Sequence, residues 1–166
     1  MSQTSYSQYM SQAIAGTLYD LSLRVIDSRA AEAAIGLGYG LIIGTDPETQ
    51  AKVPSATFTT GFLGIALNQA KEQASDGTVT YAAEDTVPVL RKGRAWVPFY
   101  SGYAITAETQ AYLVVTGTYA GYWTNSTGAT ALAALTTPVV TVEISGAKFI
   151  TSNTSTTGGV VAVELS

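Results

Sequence analysis

The chain has 166 residues, eight basic and twelve acidic side chains, a formal net charge of −4, and neither histidine nor cysteine. This length suits one ordinary domain. The acidic balance argues against a nucleic-acid partner, which needs clustered cations to release phosphate counterions. The missing His and Cys exclude the common catalytic triads and the usual transition-metal sites, so neither an enzyme nor a cofactor is expected.

Apolar residues make up 46% and charged ones 12%, about half the usual charged share. Low charge with abundant Thr, Val and Tyr suits extended structure and faces that become covered. The start, Met1-Ser-Gln-Thr-Ser-Tyr-Ser-Gln-Tyr-Met10, lacks the basic and apolar regions of a signal peptide. No run approaches 18 consecutive apolar residues, so no membrane partner is expected. The lack of cysteine fits synthesis in a reducing cytoplasm.

Residues 1–19 carry no charge, and Tyr6, Tyr9, Met10, Ala13, Ile14 and Leu18 recur at helical spacing. They form either a short helix on their own domain or an arm that reaches a partner. Asp20 to Asp27 reads as a first strand, and Ser28 as the cap of a helical turn through Ala34. Residues 1–34 are thus an arm with a first strand, and 35–166 a β core.

Short strands and turns follow. Ile35 to Ile43 ends at the turn Gly44-Thr-Asp-Pro-Glu-Thr49. Gly61 to Leu67, Thr78 to Ala82 and the long Val87 to Phe99 come next. In the long strand the prolines sit near the ends and Gly93 marks a bulge. Ala111 to Thr116, Tyr119 to Thr124, Pro138 to Ile144, Lys148 to Ser152 and Val160 to Leu165 complete the set. Asn125 to Thr137 is a loop or one helical turn, and Thr151 to Gly159 a polar hairpin connection. Turn signals every 8–12 residues or so predict a mainly β chain, a single small β-barrel or β-sandwich with an N-terminal arm.

Few groups remain for chemistry. Asp46 with Glu48, and Glu84 with Asp85, lie in predicted turns, where carboxylates serve backbone N–H groups or face water. Neither pair supplies enough oxygens for a calcium site, so no metal is expected. Gly36-Leu-Gly-Tyr-Gly40 lacks the spacing of a nucleotide loop. Arg91, Lys92 and Arg94 form the one basic cluster. It is either a charged edge that discourages strand pairing or a patch for acidic groups on a partner. Trp96, Tyr122 and Trp123 are either interface anchors or core. Between Arg94 and Glu143 the only charge is Glu108, which predicts that part of this region is covered.

Ile14-Ala-Gly16 and Asp20, Phe62-Leu-Gly-Ile-Ala66, the run Val87-Pro-Val-Leu-Arg-Lys-Gly-Arg-Ala-Trp-Val97 and the terminal Val160-Val-Ala-Val-Glu-Leu165 together give a resemblance. The chain resembles the structural cement, or head decoration, proteins of tailed bacteriophages. The N-terminus departs from their pattern in being longer and richer in Tyr and Gln. The resemblance implies a small β-rich protein, often a homotrimer, on the outer capsid surface of the virion. It implies the major capsid protein as partner and synthesis in the host bacterial cytoplasm. Tyr6, Tyr9, Met10, Ile14, Leu18, Tyr19, Arg91, Lys92, Arg94, Trp96, Tyr122 and Trp123 are then the candidate contacts to the capsid or to sibling subunits. The alternatives are another phage part (tail tube or head fibre), or a carbohydrate-binding β-module that stacks sugars on Trp96, Trp123 and the tyrosines.

Overall fold

The computed structural model describes residues 14–21, 23–55, 61–68, 79–100, 103–135, 137–155 and 159–166. The longest strand, β7 (Thr86–Pro98), organises the rest. Its first half alternates little: Val87, Pro88, Val89 and Leu90 are all buried, as befits a strand covered on both faces. Its second half alternates, with Gly93, Ala95 and Val97 buried and Arg94, Trp96 and Pro98 half-buried.

Five strands close on themselves around the first half: β1 (Val25–Ala31), β4 (Gln50–Lys52), β3 (Gly40–Ile43), β5 (Phe62–Ala66) and β7, with β1 pairing back to β7. The second half continues the sheet through β11 (Val160–Leu165), β10 (Thr141–Phe149), β8 (Gln110–Val114) and β9 (Trp123–Thr124). A parallel bridge from Phe99 to Trp123 returns β9 to the end of β7. A small ribbon of β2 (Ile35–Gly36) and β6 (Thr80–Tyr81) stands apart. Two cores result. One, around Leu41, Val87 and Val89, fills the barrel; the other, around Phe99, Leu113, Trp123 and Phe149, lies under the remaining strands.

Local chemistry explains how the strands come so close. Gly64 has φ +153°, and a Cβ there would lie 2.1 Å from the Leu90 carbonyl oxygen, so only glycine lets β5 approach β7. Pro88 removes a donor from β7. The Leu67 N–H donates to the Pro88 carbonyl at 2.8 Å, while the Leu67 carbonyl accepts from the buried Tyr81 hydroxyl at 2.6 Å. That hydroxyl replaces the N–H that proline lacks.

The mainly β architecture matches the expectation, and β7, β5 and β11 fall close to where the sequence puts them. Other elements differ. The first strand is Val25–Ala31 rather than Asp20 to Asp27, and Ser28 lies inside it instead of capping a helical turn. Pairing with both β7 and β4 decides this, overriding the local cap signal. β1, set with the arm by a boundary at 34/35, is therefore a barrel strand. The run Ile35 to Ile43 divides into β2 and β3 across a turn in which Gly38 takes φ +75°. Tyr119 to Tyr122 form turns, which shortens β9 to two residues. Two predicted strands near residues 138–152 are one strand, β10, with a register shift between Glu143 and Lys148. Of the loop or single helical turn expected over Asn125 to Thr137, the helical reading is the one realised, as the eight-residue α1 (Ser126–Ala133), with the Asn125 side chain accepting from the Gly128 N–H as an N-cap.

Candidate interaction surface

The N-terminal part of the described chain runs antiparallel along β7 in two attached stretches with a detached excursion between them. In the first stretch the Gly16 N–H donates to the Trp96 carbonyl (2.7 Å), the Trp96 N–H to Thr17 (2.9 Å) and the Tyr19 N–H to Arg94 (3.0 Å). Leu18 bridges Ala95 and packs on the core. Residues 16–19 are therefore a strand-like strip and not part of a helix, which corrects the helical spacing read over Ile14 and Leu18. Tyr6, Tyr9 and Met10 lie outside the described residues.

The second stretch is β1, paired from Val25 opposite Lys92 to Ala30 opposite Thr86. Between the attachments, Leu18 to Val25 advances seven residues while Ala95 to Lys92 advances three. In this stretch Leu21 is 84% and Leu23 81% exposed, with Val25 and Ile26 also exposed. Where the chain returns, the Arg24 backbone lies over Gly93 (φ +123°), and a Cβ there would be 3.1 Å from that of Arg24. The β7 register shifts beside this point, where Val25 pairs with Lys92 but Ile26 with Leu90. Arg91 is the extra residue, so Arg91 and Lys92 both face solvent in succession. The expected bulge is present, two residues ahead of Gly93.

The basic cluster divides by role. Arg91 donates to Asp27 at 3.0 Å. Arg94 donates to Asp20 at 3.1 Å and to Glu164 at 3.3 Å, tying the strip to β11. The hydrogen bond to Asp20, then the charge of Glu164, raises the Arg94 pKa further above its ordinary value. Two of the three cations are thus spent within the chain. Among the described residues, Lys92 and its neighbour Arg24 are exposed and make no ion pair.

The aromatic candidates separate in the same way. Trp96 is half-buried, with the exposed Tyr19 ring tilted on it at 5.4 Å. Trp123 is 0% exposed. Its indole N–H donates to the Gly38 carbonyl at 3.3 Å and Phe62 packs edge-on at 6.0 Å. It is core, which removes it from the interface candidates, because a fully enclosed ring offers a partner no surface. Tyr122 belongs to a chain of rings that the sequence did not bring together. Tyr103 stacks on Tyr100, Tyr100 meets Tyr119 edge-on, Tyr119 meets Tyr122, and Tyr122 meets Tyr39 at 5.2 Å. Burial, then the Tyr122 hydroxyl, raises the Tyr39 pKa well above its ordinary value. These tyrosines and the second core account for much of the uncharged region after Arg94. Glu108 pairs with Lys148 at 2.8 Å.

Nothing in the described residues gathers for metal chemistry, since no three Asp or Glu side chains come together there. The turn carboxylates act locally: Asp46 accepts from the Thr49 hydroxyl (2.6 Å), and Asp85 from the Ala82 N–H (2.7 Å). No described helix is long and apolar enough to cross a membrane. What the arrangement offers is an apolar excursion, an adjoining strand and two unpaired cations, and these suit binding.

Comparison with known proteins points the same way. The model of a family described as structural cement protein (E217 gp24/Pam3 gp6) matches residues 2–166. A chain from the capsid of Myoviridae phage XM1 shares the fold, with a TM-score of 0.72 at 16% sequence identity over 98% of this chain and 96% of that one. No curated protein sequence matches.

Proposed function

Because this chain belongs to the structural cement protein family of phage capsids, we propose that it binds the outer surface of the assembled shell as a homotrimer and ties neighbouring copies of the major capsid protein together. The chain is a capsid cement protein; its position on the shell, its partner and its copy number are the proposal. It is made in the host bacterial cytoplasm and joins the virion from there, and its work is binding, with no catalytic step. The observation that carries this reading is the series of exposed apolar side chains at Ile14, Tyr19, Leu21, Leu23, Val25 and Ile26 along one segment, on a chain with few charges. Exposed apolar surface concentrated in one segment of a folded domain points to an interaction site. Tyr6, Tyr9 and Met10 extend the same uncharged character toward the N-terminus.

The physics requires only complementary area. A protein that binds the assembled lattice and not its separated parts stabilises the lattice by RT ln(1 + [L]/Kd), about 2.7 kcal/mol per site at 100-fold excess over Kd. Many identical sites multiply that term, and a trimer adds avidity to individually modest contacts.

Light scattering on the purified protein tests the copy number. Three copies of the 17.2 kDa chain give a mass of about 52 kDa. Co-sedimentation with shells of its own phage, stripped of native copies, tests the site of action, and bound protein should raise the temperature at which those shells break. Rings or filaments of the purified protein, without shell binding, would assign it to a tail part instead.

A further inference from the structure

The N-terminal half of β1 has an outer side that no strand pairs among the described residues. The Ala31 N–H donates inward to the Asp85 carbonyl, and the Ala30 N–H donates outward to Thr49 on the β4 side. By the alternation of an antiparallel ladder, the backbone groups of Ile26 and Ser28 face the same way as those of Ala30. β4 pairs with β1 only at Ala30 and Ala31, and the turn before it is held by the Arg29 guanidinium, which donates to the Pro47 and Glu48 carbonyls; among the described residues no backbone group bonds Ile26 or Ser28 on that side. An open edge continued by exposed Leu23 and Leu21 is a template for an added strand. Arg24 leads into that edge as an exposed cation without an ion pair, while Lys92 lies opposite Val25 on the β7 side of the strand.

From this juxtaposition we propose that the β1 edge from Arg24 to Ser28, with the exposed Leu21 and Leu23 ahead of it, receives an extended segment of the major capsid protein that alternates apolar residues and carries a carboxylate opposite Arg24. This deepens the cementing reading and rests on it. Backbone bonds to Ile26 and Ser28 fix the register of the added strand. Leu21, Leu23 and Val25 cover its apolar positions, and the Arg24 cation selects an acidic side chain. A second copy of the same edge is a poor occupant. Antiparallel self-pairing centred on Val25 or Ile26 sets Leu23 against Asp27 or Arg29. Centring on Arg24 matches Leu23 with Val25 but sets the two Arg24 side chains against each other.

The test uses the full-length protein and stripped shells of its own phage. Leu23→Asp and Arg24→Glu change exposed side chains, and near-UV circular dichroism verifies that both variants keep the native fold. The expected result is that each variant binds shells about tenfold more weakly or worse, the scale of losing a central contact. The Ile26 and Ser28 amides should exchange more slowly on the shell, and a benzophenone side chain placed at position 23 should cross-link to an acidic, apolar-alternating peptide of the major capsid protein. If the native protein binds while both variants bind equally well and those amides exchange at the free rate, the edge is not the site and the cementing reading stands. A cross-link between two copies of this chain, with a lower native mass for Leu23→Asp, makes the edge a subunit contact and overturns the proposal. Failure of the native protein to bind shells removes the cementing reading and this proposal together.

Discussion

Two apolar runs lie within a few residues of each other along β7 and meet opposite fates. Val87 to Leu90 is sealed, with Val87, Val89 and Leu90 at 0% exposure, while Leu21 to Ile26 holds the most exposed large apolar side chains described. Both are rich in leucine and valine; their backbone pairing differs. The first run has strands on both edges, β1 and β5. The second lies where the chain leaves β7, and among the described residues no strand pairs its outer side. Apolar content says that a segment seeks cover, and backbone pairing decides whether its own chain supplies it.

The contrast predicts a steep difference in stability. Leu90→Ala opens a cavity at the junction of the cores and should cost about 2–5 kcal/mol in denaturant unfolding, the range for buried leucine truncation. A cost below about 1 kcal/mol would mean that the sealed run is not the centre of the fold. Gly64→Ala ranks next. Its added methyl would meet the Leu90 carbonyl in a backbone conformation that disfavours side chains, so a loss of about 1–3 kcal/mol is expected.

Arg94→Gln acts between the two regions. It removes the charged ties to Asp20 and Glu164 while leaving the backbone bonds of Gly16, Thr17 and Tyr19 to β7. Faster amide exchange at Gly16 and Tyr19, with little change in the global midpoint, is the expected outcome. If these amides are unchanged, the backbone bonds alone hold the strip.

A good part of this was legible in the sequence. The run Val87 to Phe99 carries proline, glycine and alternation signals that placed β7 almost in full, and Val160 to Leu165 stands as read. The excursion was misread because Leu21, Leu23 and Val25 alternate whether their cover is internal or external; alternation reports a face, not its owner. β4 was missed because three residues carry no measurable period. The ring chain from Tyr39 to Tyr103 was invisible because its members come from segments distant in sequence that meet only in the fold. Trp96 and Trp123 could not be told apart because their difference lies in what covers each ring.

Acid should loosen a different edge of the barrel. The Thr45 N–H, which donates to Glu32 at 2.6 Å, lowers the Glu32 pKa, and the Thr49 hydroxyl does the same for Asp46. Both folded values lie below the unfolded ones. Their stabilisation is therefore complete above the ordinary carboxylate range, about pH 4, and is lost as pH falls through the lower folded values. NMR of the Thr45 and Glu48 amides should follow that loss, with β7 unaffected. A change centred at or above the ordinary range would contradict the sign.

The smallest stability effect belongs to the exposed run itself. Replacing Leu21 and Leu23 together by serine removes side chains that are more than four-fifths in water, so the unfolding free energy should move by no more than about 0.5 kcal/mol. Colloidal behaviour should nevertheless change. A bare apolar segment beside an open strand edge promotes association between free molecules. The double variant should show less concentration-dependent scattering than the native protein at equal fold stability. A large drop in stability instead would mean that the excursion folds back onto its own domain in solution, and the difference between the two runs would then be one of degree.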